Sequence, residues 1–174
     1  MRRAFVSLCV AGLLACHGGG QSNIRLGAGT RYVNHSQSTQ WVTLPDNSRV
    51  GLSSGTAVEL GNRFALGNRV VDIDGEGMFV IRPMGAKMFV VTTKNLLIVG
   101  PGTRFRVDAF RSRPGEEVDL LEGKLTIRKS YHSDLDSAAE ELTSGDMLMI
   151  NREIDLMEKE KMKPDELEKA KERF

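Results

Sequence analysis

The sequence predicts an all-β domain over residues 38–150. Apolar and polar residues alternate with a period of two along short segments, most clearly where Phe105, Val107 and Ala109 fall on one face. Turn sequences rich in glycine, proline, asparagine and serine recur throughout this region and leave no room for a helix between them. The composition agrees, since 40% hydrophobic and 27% charged residues are typical of a globular chain of 174 residues.

Residues 1–15 have the pattern of a secretory signal. Arg2 and Arg3 precede an apolar run that is shorter than the roughly 18 residues of a membrane-spanning helix. The run ends in the letters LLAC at residues 13–16, followed by a polar, glycine-rich stretch. This tetrapeptide resembles the bacterial lipobox, whose cysteine is acylated and becomes the first mature residue. The resemblance implies lipidation, of the palmitate type, at Cys16.

The two cysteines are both accounted for by this interpretation. Cys9 lies inside the removed signal and Cys16 carries the lipid, so no disulfide and no thiol nucleophile are expected. Two or more acyl chains hold a protein stably on a membrane, with residues 16–37 as a tether and leading segment. The alternative is a plain secretory signal with an incidental cysteine.

The arrangement of the predicted strands is left open by their spacing alone. A sandwich with Greek-key connections and a solenoid-like stack of short strands both fit segments of this length. No repeat of fixed period is visible in the sequence. A formal net charge of +1 argues against nucleic-acid binding, which needs a strongly basic face.

Residues 151–174 differ in character from the rest of the chain. Seven are Lys or Arg and eight are Asp or Glu, and only a thin apolar stripe runs among them. Pro164, Asp165 and Glu166 form a good helix start, because proline suits the first turn and acids oppose the helix dipole. The sequence therefore predicts a charged, mostly solvated helical tail, kinked or in two pieces.

Six segments of the predicted β domain occur in a characteristic order: WVTLPDNSRVGL at 41–52, RVVDIDGEGMFV at 69–80, FVV at 89–91, VGPGTRFRV at 99–107, LEGKL at 121–125 and LTSGD at 142–146. Together they resemble the FecR domain of periplasmic regulators of bacterial iron uptake. The resemblance implies an all-β fold described as a twisted, solenoid-like stack, which we therefore favour over a sandwich. It also assigns structural roles to Asp46, Ser48, Glu76, Gly102, Thr103 and Gly123.

The sequence departs from the family pattern in the first turn and at the N-terminus, among other places. Asn47 replaces the usual glycine of the Leu-Pro-Asp-Gly-Ser turn, which is tolerated because asparagine also adopts left-handed conformations. Full-length family members carry a cytoplasmic anti-sigma segment and a membrane helix, where this chain has a lipoprotein signal. The resemblance thus implies the extracytoplasmic β module without an anti-sigma segment.

Candidate catalytic and metal-binding residues are scarce. His132, Ser133 and Asp134 are adjacent and cannot converge as a triad, and no zinc-ligand spacing is present. Asp72, Asp74 and Glu76 could share a strand face, but Gly75 is expected to interrupt that strand and the carboxylates to form a solvated edge. For Glu76 we expect a hydrogen bond in a turn. We predict no enzyme activity, no cofactor and no metal.

The arginines around residue 106 are candidate partner-binding residues. Arg104, Arg106 and Arg111 lie close together in sequence and could line an outward face, or protect an edge strand from unwanted pairing. The predicted function is a lipid-anchored module that faces the periplasm, on the inner or outer membrane, and binds an envelope protein in signalling or regulation. The alternative is an envelope enzyme or a binder of a small ligand or glycan.

Overall fold

The computed structural model describes residues 29–64, 67–133 and 138–172. These residues form thirteen strands and one helix. In chain order they are β1 (Arg31–Val33), β2 (Gln40–Thr43), β3 (Arg49–Leu52), β4 (Ala57–Leu60), β5 (Arg69–Val80), β6 (Phe89–Thr92), β7 (Leu96–Gly100), β8 (Arg104–Ala109), β9 (Gly115–Glu122), β10 (Lys124–Lys129), β11 (Glu140–Thr143), β12 (Asp146–Asn151), β13 (Leu156–Lys161) and α1 (Pro164–Glu172). The predictions of an all-β domain and a C-terminal helix are confirmed.

The strands form two seven-stranded halves that share the long strand β5. Half A has the order β1-β4-β5-β6-β7-β10-β11 and uses residues 69–74 of β5. Half B has the order β2-β3-β5-β8-β9-β12-β13 and uses residues 75–80. Neighbours are antiparallel except β5 and β6, which are parallel. One continuous strand therefore joins the two halves.

Gly75 lets β5 pass from one half to the other. Its φ of 133° lies in a region that other residues rarely adopt, and an added Cβ would lie 2.6 Å from the Cα of Thr56. The Thr56 hydroxyl accepts from the backbone N–H of Glu76 and donates to the Glu76 carbonyl, both at 2.9 Å. The prediction that Gly75 interrupts the strand was wrong. Strand β5 continues through it because the Thr56 side chain completes the backbone hydrogen bonding where β5 crosses between the halves.

The apolar faces of both halves form one core. Alternate residues of the central strands point inward, as in β8, where Phe105, Val107 and Ala109 are buried. Phe79 of β5 stacks on Phe105 with ring centroids 5.0 Å apart and meets Phe89 of half A edge-on. The core cluster contains residues of both halves. Many of its members are the apolar residues that alternate with polar ones in the sequence, so this alternation predicts which residues are buried.

The sheet extends beyond the predicted limits of 38–150 at both ends. Strand β1 lies in the predicted leading segment, where the buried side chain of Asn34 donates to the Leu52 and Ser38 carbonyls at 2.8 Å. Strand β13 lies in the predicted helical tail, so helix over residues 156–161 was wrong. These residues form a strand because they pair antiparallel with β12 along their whole length. The helix covers Pro164–Glu172 and is too short and polar to cross a bilayer.

Candidate functional site

The predicted motif residues Asp46 and Ser48 hold a buried arginine. The Arg69 guanidinium donates to the Asp46 carboxylate at 2.8 Å, to the Ser48 hydroxyl at 3.2 Å, and to two backbone carbonyls. The Ser48 N–H and hydroxyl donate to the same carboxylate, and Asn47 adopts a φ of 63° between them. Arg69 is thereby satisfied inside the fold, and this cluster ties the β2–β3 turn to the start of β5.

The motif residues Gly102, Thr103 and Gly123 form a tight corner. An added Cβ on Gly102 would lie 2.5 Å from the Pro83 ring, and one on Gly123 would lie 2.8 Å from the Thr103 methyl group. Thr103 is buried, and its carbonyl accepts from the N–H of Ile81 at 2.9 Å. The two glycines are therefore required by close packing.

Arg106 lies at the centre of a carboxylate cluster on the outward face of half B. Its guanidinium contacts Glu76 at 2.7 Å, Glu117 at 2.6 Å, Asp119 at 2.7 Å and Asp108 at 3.5 Å. These groups come from β5, β8 and β9, which the register brings side by side. Burial alone would lower the pKa of Arg106, but the hydrogen bonds to Glu76, Glu117 and Asp119 outweigh it and raise the pKa.

This geometry corrects two predictions. Arg106 was a candidate for contacting a partner, but only 6% of its side chain is exposed and its donors are used inside the chain. Glu76 was expected to make a turn hydrogen bond, but it lies within a continuous strand and pairs with Arg106. Both residues stabilise the cross-strand arrangement.

Arg104 and Arg111 lie apart from each other. Arg104 is 31% exposed in its side chain and donates to the Lys171 carbonyl of α1 at 3.2 Å, which ties the helix to half B. Arg111 follows β8 and pairs with Asp72 at 2.5 Å and Asp74 at 3.9 Å. The structure therefore does not bring these arginines together on one surface. In addition, the described residues hold no group of three acids, histidines or cysteines placed to bind a metal.

Two further buried clusters were not predicted. Glu116 accepts from Thr93 at 2.5 Å and from the N–H and side chain of Asn95, and burial raises the pKa of Glu116 despite these bonds. The sequence did carry a signal, because Glu116 is in phase with the inward residues Val118 and Leu120. The cluster anchors the β6–β7 turn to β9.

The second cluster closes the β12–β13 hairpin against β10. Lys129 donates to Asp155 at 2.8 Å and to Ser133 at 2.9 Å, and Ser133 and Tyr131 also donate to Asp155. The hydrogen bond from Lys129, with those from Ser133 and Tyr131, lowers the pKa of Asp155 to about 2. Burial and the bond to Asp155 raise the pKa of Tyr131 to about 12. Ser133 is thus a structural residue, while Asp134 lies outside the described residues.

Half B presents a groove on its outward face, which we call the outer groove. It has a volume of about 490 Å³ and lies between the β8–β9 turn and the β12–β13 hairpin. Met149, Ile154 and Leu156 expose apolar surface there, and Glu117 and Glu158 line it with carboxylates. A second, smaller groove of about 330 Å³ separates the Arg106 cluster from α1. No sequence signal pointed to the outer groove, because its wall is the hairpin that was expected to be helical.

These features define an all-β domain whose buried charges serve the fold. The sequence matches the FecR protein family over residues 30–126, which is more than half of the chain. The chain belongs to the FecR family, a family of regulatory domains in cell-envelope signalling. This confirms the resemblance found in the sequence. Among curated proteins, no relative matches it.

Solved structures share the fold. Two crystal structures of a proposed anti-sigma factor from Parabacteroides distasonis, at 2.50 and 1.65 Å resolution, each align with a TM-score of 0.68 at 22% identity. Each alignment covers 76% of this chain and 60% of the crystallised chain. The chain thus spans about three fifths of the length of these structures, and at this identity the likeness establishes the fold.

Proposed function

We propose that this protein is a lipid-anchored, non-catalytic FecR domain that faces the periplasm and binds an envelope protein in signalling or regulation. The observation that carries the proposal is the family match over residues 30–126. The buried clusters around Arg69, Glu116 and Lys129 support a non-catalytic role, because each consists of partners within the chain. Cys16, which lies outside the described residues, supports lipid anchoring through its lipobox-like sequence.

Protein binding is favoured over glycan binding by the surroundings of the single tryptophan. Trp41 is partly exposed, but the guanidinium of Arg49 lies 4.6 Å from its ring centroid. The stacked arginine occupies one of the two ring faces on which a sugar could stack. The outer groove, by contrast, combines apolar and acidic groups on an exposed face, which suits a protein segment.

The anchor is tested by replacing Cys16 with serine. We expect the wild-type chain to incorporate labelled palmitate and sediment with membranes, and the Cys16→Ser chain to do neither. Cys9→Ser is the matched control, because it removes the other thiol and leaves the lipobox intact. Equal membrane retention of the Cys16→Ser and wild-type chains contradicts lipid anchoring.

Partner binding is tested by crosslinking in intact cells. A photo-crosslinking amino acid is placed at exposed positions of half B, such as Glu158, and of half A, such as Glu141. We expect one discrete envelope protein to be captured from positions on one face and not from the other. Absence of a crosslink from every exposed position of both halves overturns the proposed function.

A further inference from the structure

The outer groove has an apolar floor that the fold does not cover. Met149 on β12 is 36% exposed, Ile154 in the following turn 63%, and Leu156 on β13 45%. Single exposed apolar residues are common on protein surfaces, but here three converge on one concavity of about 490 Å³. The hairpin holds these side chains in place, because Asp155 in its turn is fixed by Lys129, Ser133 and Tyr131.

The rim of the outer groove is acidic. Asp108, Glu117 and Glu158 line it, and the lining cation is Arg113, which pairs with Asp108. Glu117 shares Arg106 with three other carboxylates, so its charge is only partly compensated. In the described part of the chain, Glu158 makes no ion pair. The nearby cations Lys159 and Lys161 lie on the opposite face of β13. There they pair with Glu140 and Asp146, respectively.

We propose that the outer groove binds a segment of a partner protein in which an apolar anchor is flanked by lysine or arginine. The anchor would cover the exposed methionine, isoleucine and leucine, and the flanking cations would neutralise Glu117 and Glu158. The acidic rim disfavours a second copy of this chain, because a symmetric contact between two such grooves places carboxylates against carboxylates. This inference rests on the proposed function and names the face and the chemistry of its partner.

The test uses the full chain in neutral detergent micelles, with empty micelles as the blank. The probe is a fluorescent octapeptide with a central Leu-Phe pair and two lysines on each side. Two comparison peptides carry glutamates in place of the lysines, or serines in place of Leu-Phe. We expect fluorescence anisotropy to show binding of the first peptide alone, weakening as salt increases because the flanking contacts are screened.

Variants then locate the site. Glu158→Lys reverses the rim charge and Leu156→Thr removes the apolar group while keeping a strand-forming residue; each should weaken binding about tenfold, a change of about 1.4 kcal/mol. Glu141→Lys is the matched control, because it makes the same charge change at an exposed position of half A and should leave affinity unchanged. Unchanged thermal unfolding of each variant shows that the fold is intact.

The inference is overturned by equal binding of the lysine and glutamate peptides, or by an equal loss of affinity in Glu141→Lys and Glu158→Lys. It is also overturned by a sedimentation experiment in which the wild type is a dimer that Glu158→Lys dissociates. The last would make a second copy the occupant. If the peptide fails to bind but crosslinking captures a partner on half A, this inference fails and the proposed function stands. If no position of either half crosslinks, the proposed function fails as well.

Discussion

Replacing Arg69 with methionine should destabilise the domain strongly, because it removes the cation from a buried ion pair. The side chains of Arg69 and Asp46 are 2% and 5% exposed, and their charged groups lie 2.7 Å apart. Breaking such a pair leaves a buried charge without its counter-ion and costs about 3–5 kcal/mol. The lower end applies, because Ser48 still donates twice to the Asp46 carboxylate. A loss of about 3 kcal/mol lowers the melting temperature by roughly 6–12 °C.

Urea unfolding followed by circular dichroism measures this loss. Lys169→Met is the control, because Lys169 pairs with Asp165 on the exposed helix, and such a pair contributes about 0.3–0.5 kcal/mol. The double variant Asp46→Asn with Arg69→Met should recover part of the loss, since it removes the stranded carboxylate. The reasoning is refuted if Arg69→Met costs no more than Lys169→Met.

Three further predictions concern backbone strain and pH. Gly75→Ala should lower the free energy of unfolding in urea by at least about 1–3 kcal/mol more than Gly67→Ala does. Both glycines have positive φ, but only a Cβ added at Gly75 meets neighbouring atoms. Equal losses in the two variants contradict the packing argument. The pKa of Asp155 is about 2 in the folded state against about 3.9 when unfolded. The ionised carboxylate therefore stabilises the fold above pH 4, and this stabilisation is lost as pH falls toward 2. Asp155→Asn should therefore lose less stability than the wild type between pH 4 and 2, and parallel curves contradict this. Arg106→Met removes a cation that four carboxylates share, of which Asp108 also pairs with Arg113, so the unfolding free energy of the variant should rise from pH 7 to pH 5 more than that of the wild type; a fall would disprove the role of the cluster.

The strands of the core could be predicted because their period of two reports burial directly. Leu125 and Ile127 alternate with exposed residues as the sequence indicates, and Lys129 continues their inward phase. That phase marks Lys129 as a buried cation in need of a partner. The partner Asp155 is 26 residues away, and local pattern does not give such a pairing. The same limit hid the pairing of Arg106 with Glu76 and Asp119.

The outer groove could not be predicted because one of its walls resembled a helix in the sequence. A dense mixture of Glu and Lys suits a solvated helix as well as an edge strand, and only pairing with β12 decides between them. The short strand β1 was missed for a related reason, since three residues are too few to show a period. Local propensity was overridden by tertiary pairing at both ends of the sheet.

Strand β13 ends half B with an edge that repels copies of itself. Glu158 and Glu160 lie on one face of this strand, and Lys159 and Lys161 on the other. When two identical strands join antiparallel about a two-fold axis, residues of the same face come to lie opposite one another, so acid would meet acid and base would meet base. Two molecules would thus be kept from joining edge to edge through β13, while a foreign strand of complementary charge would meet no such barrier.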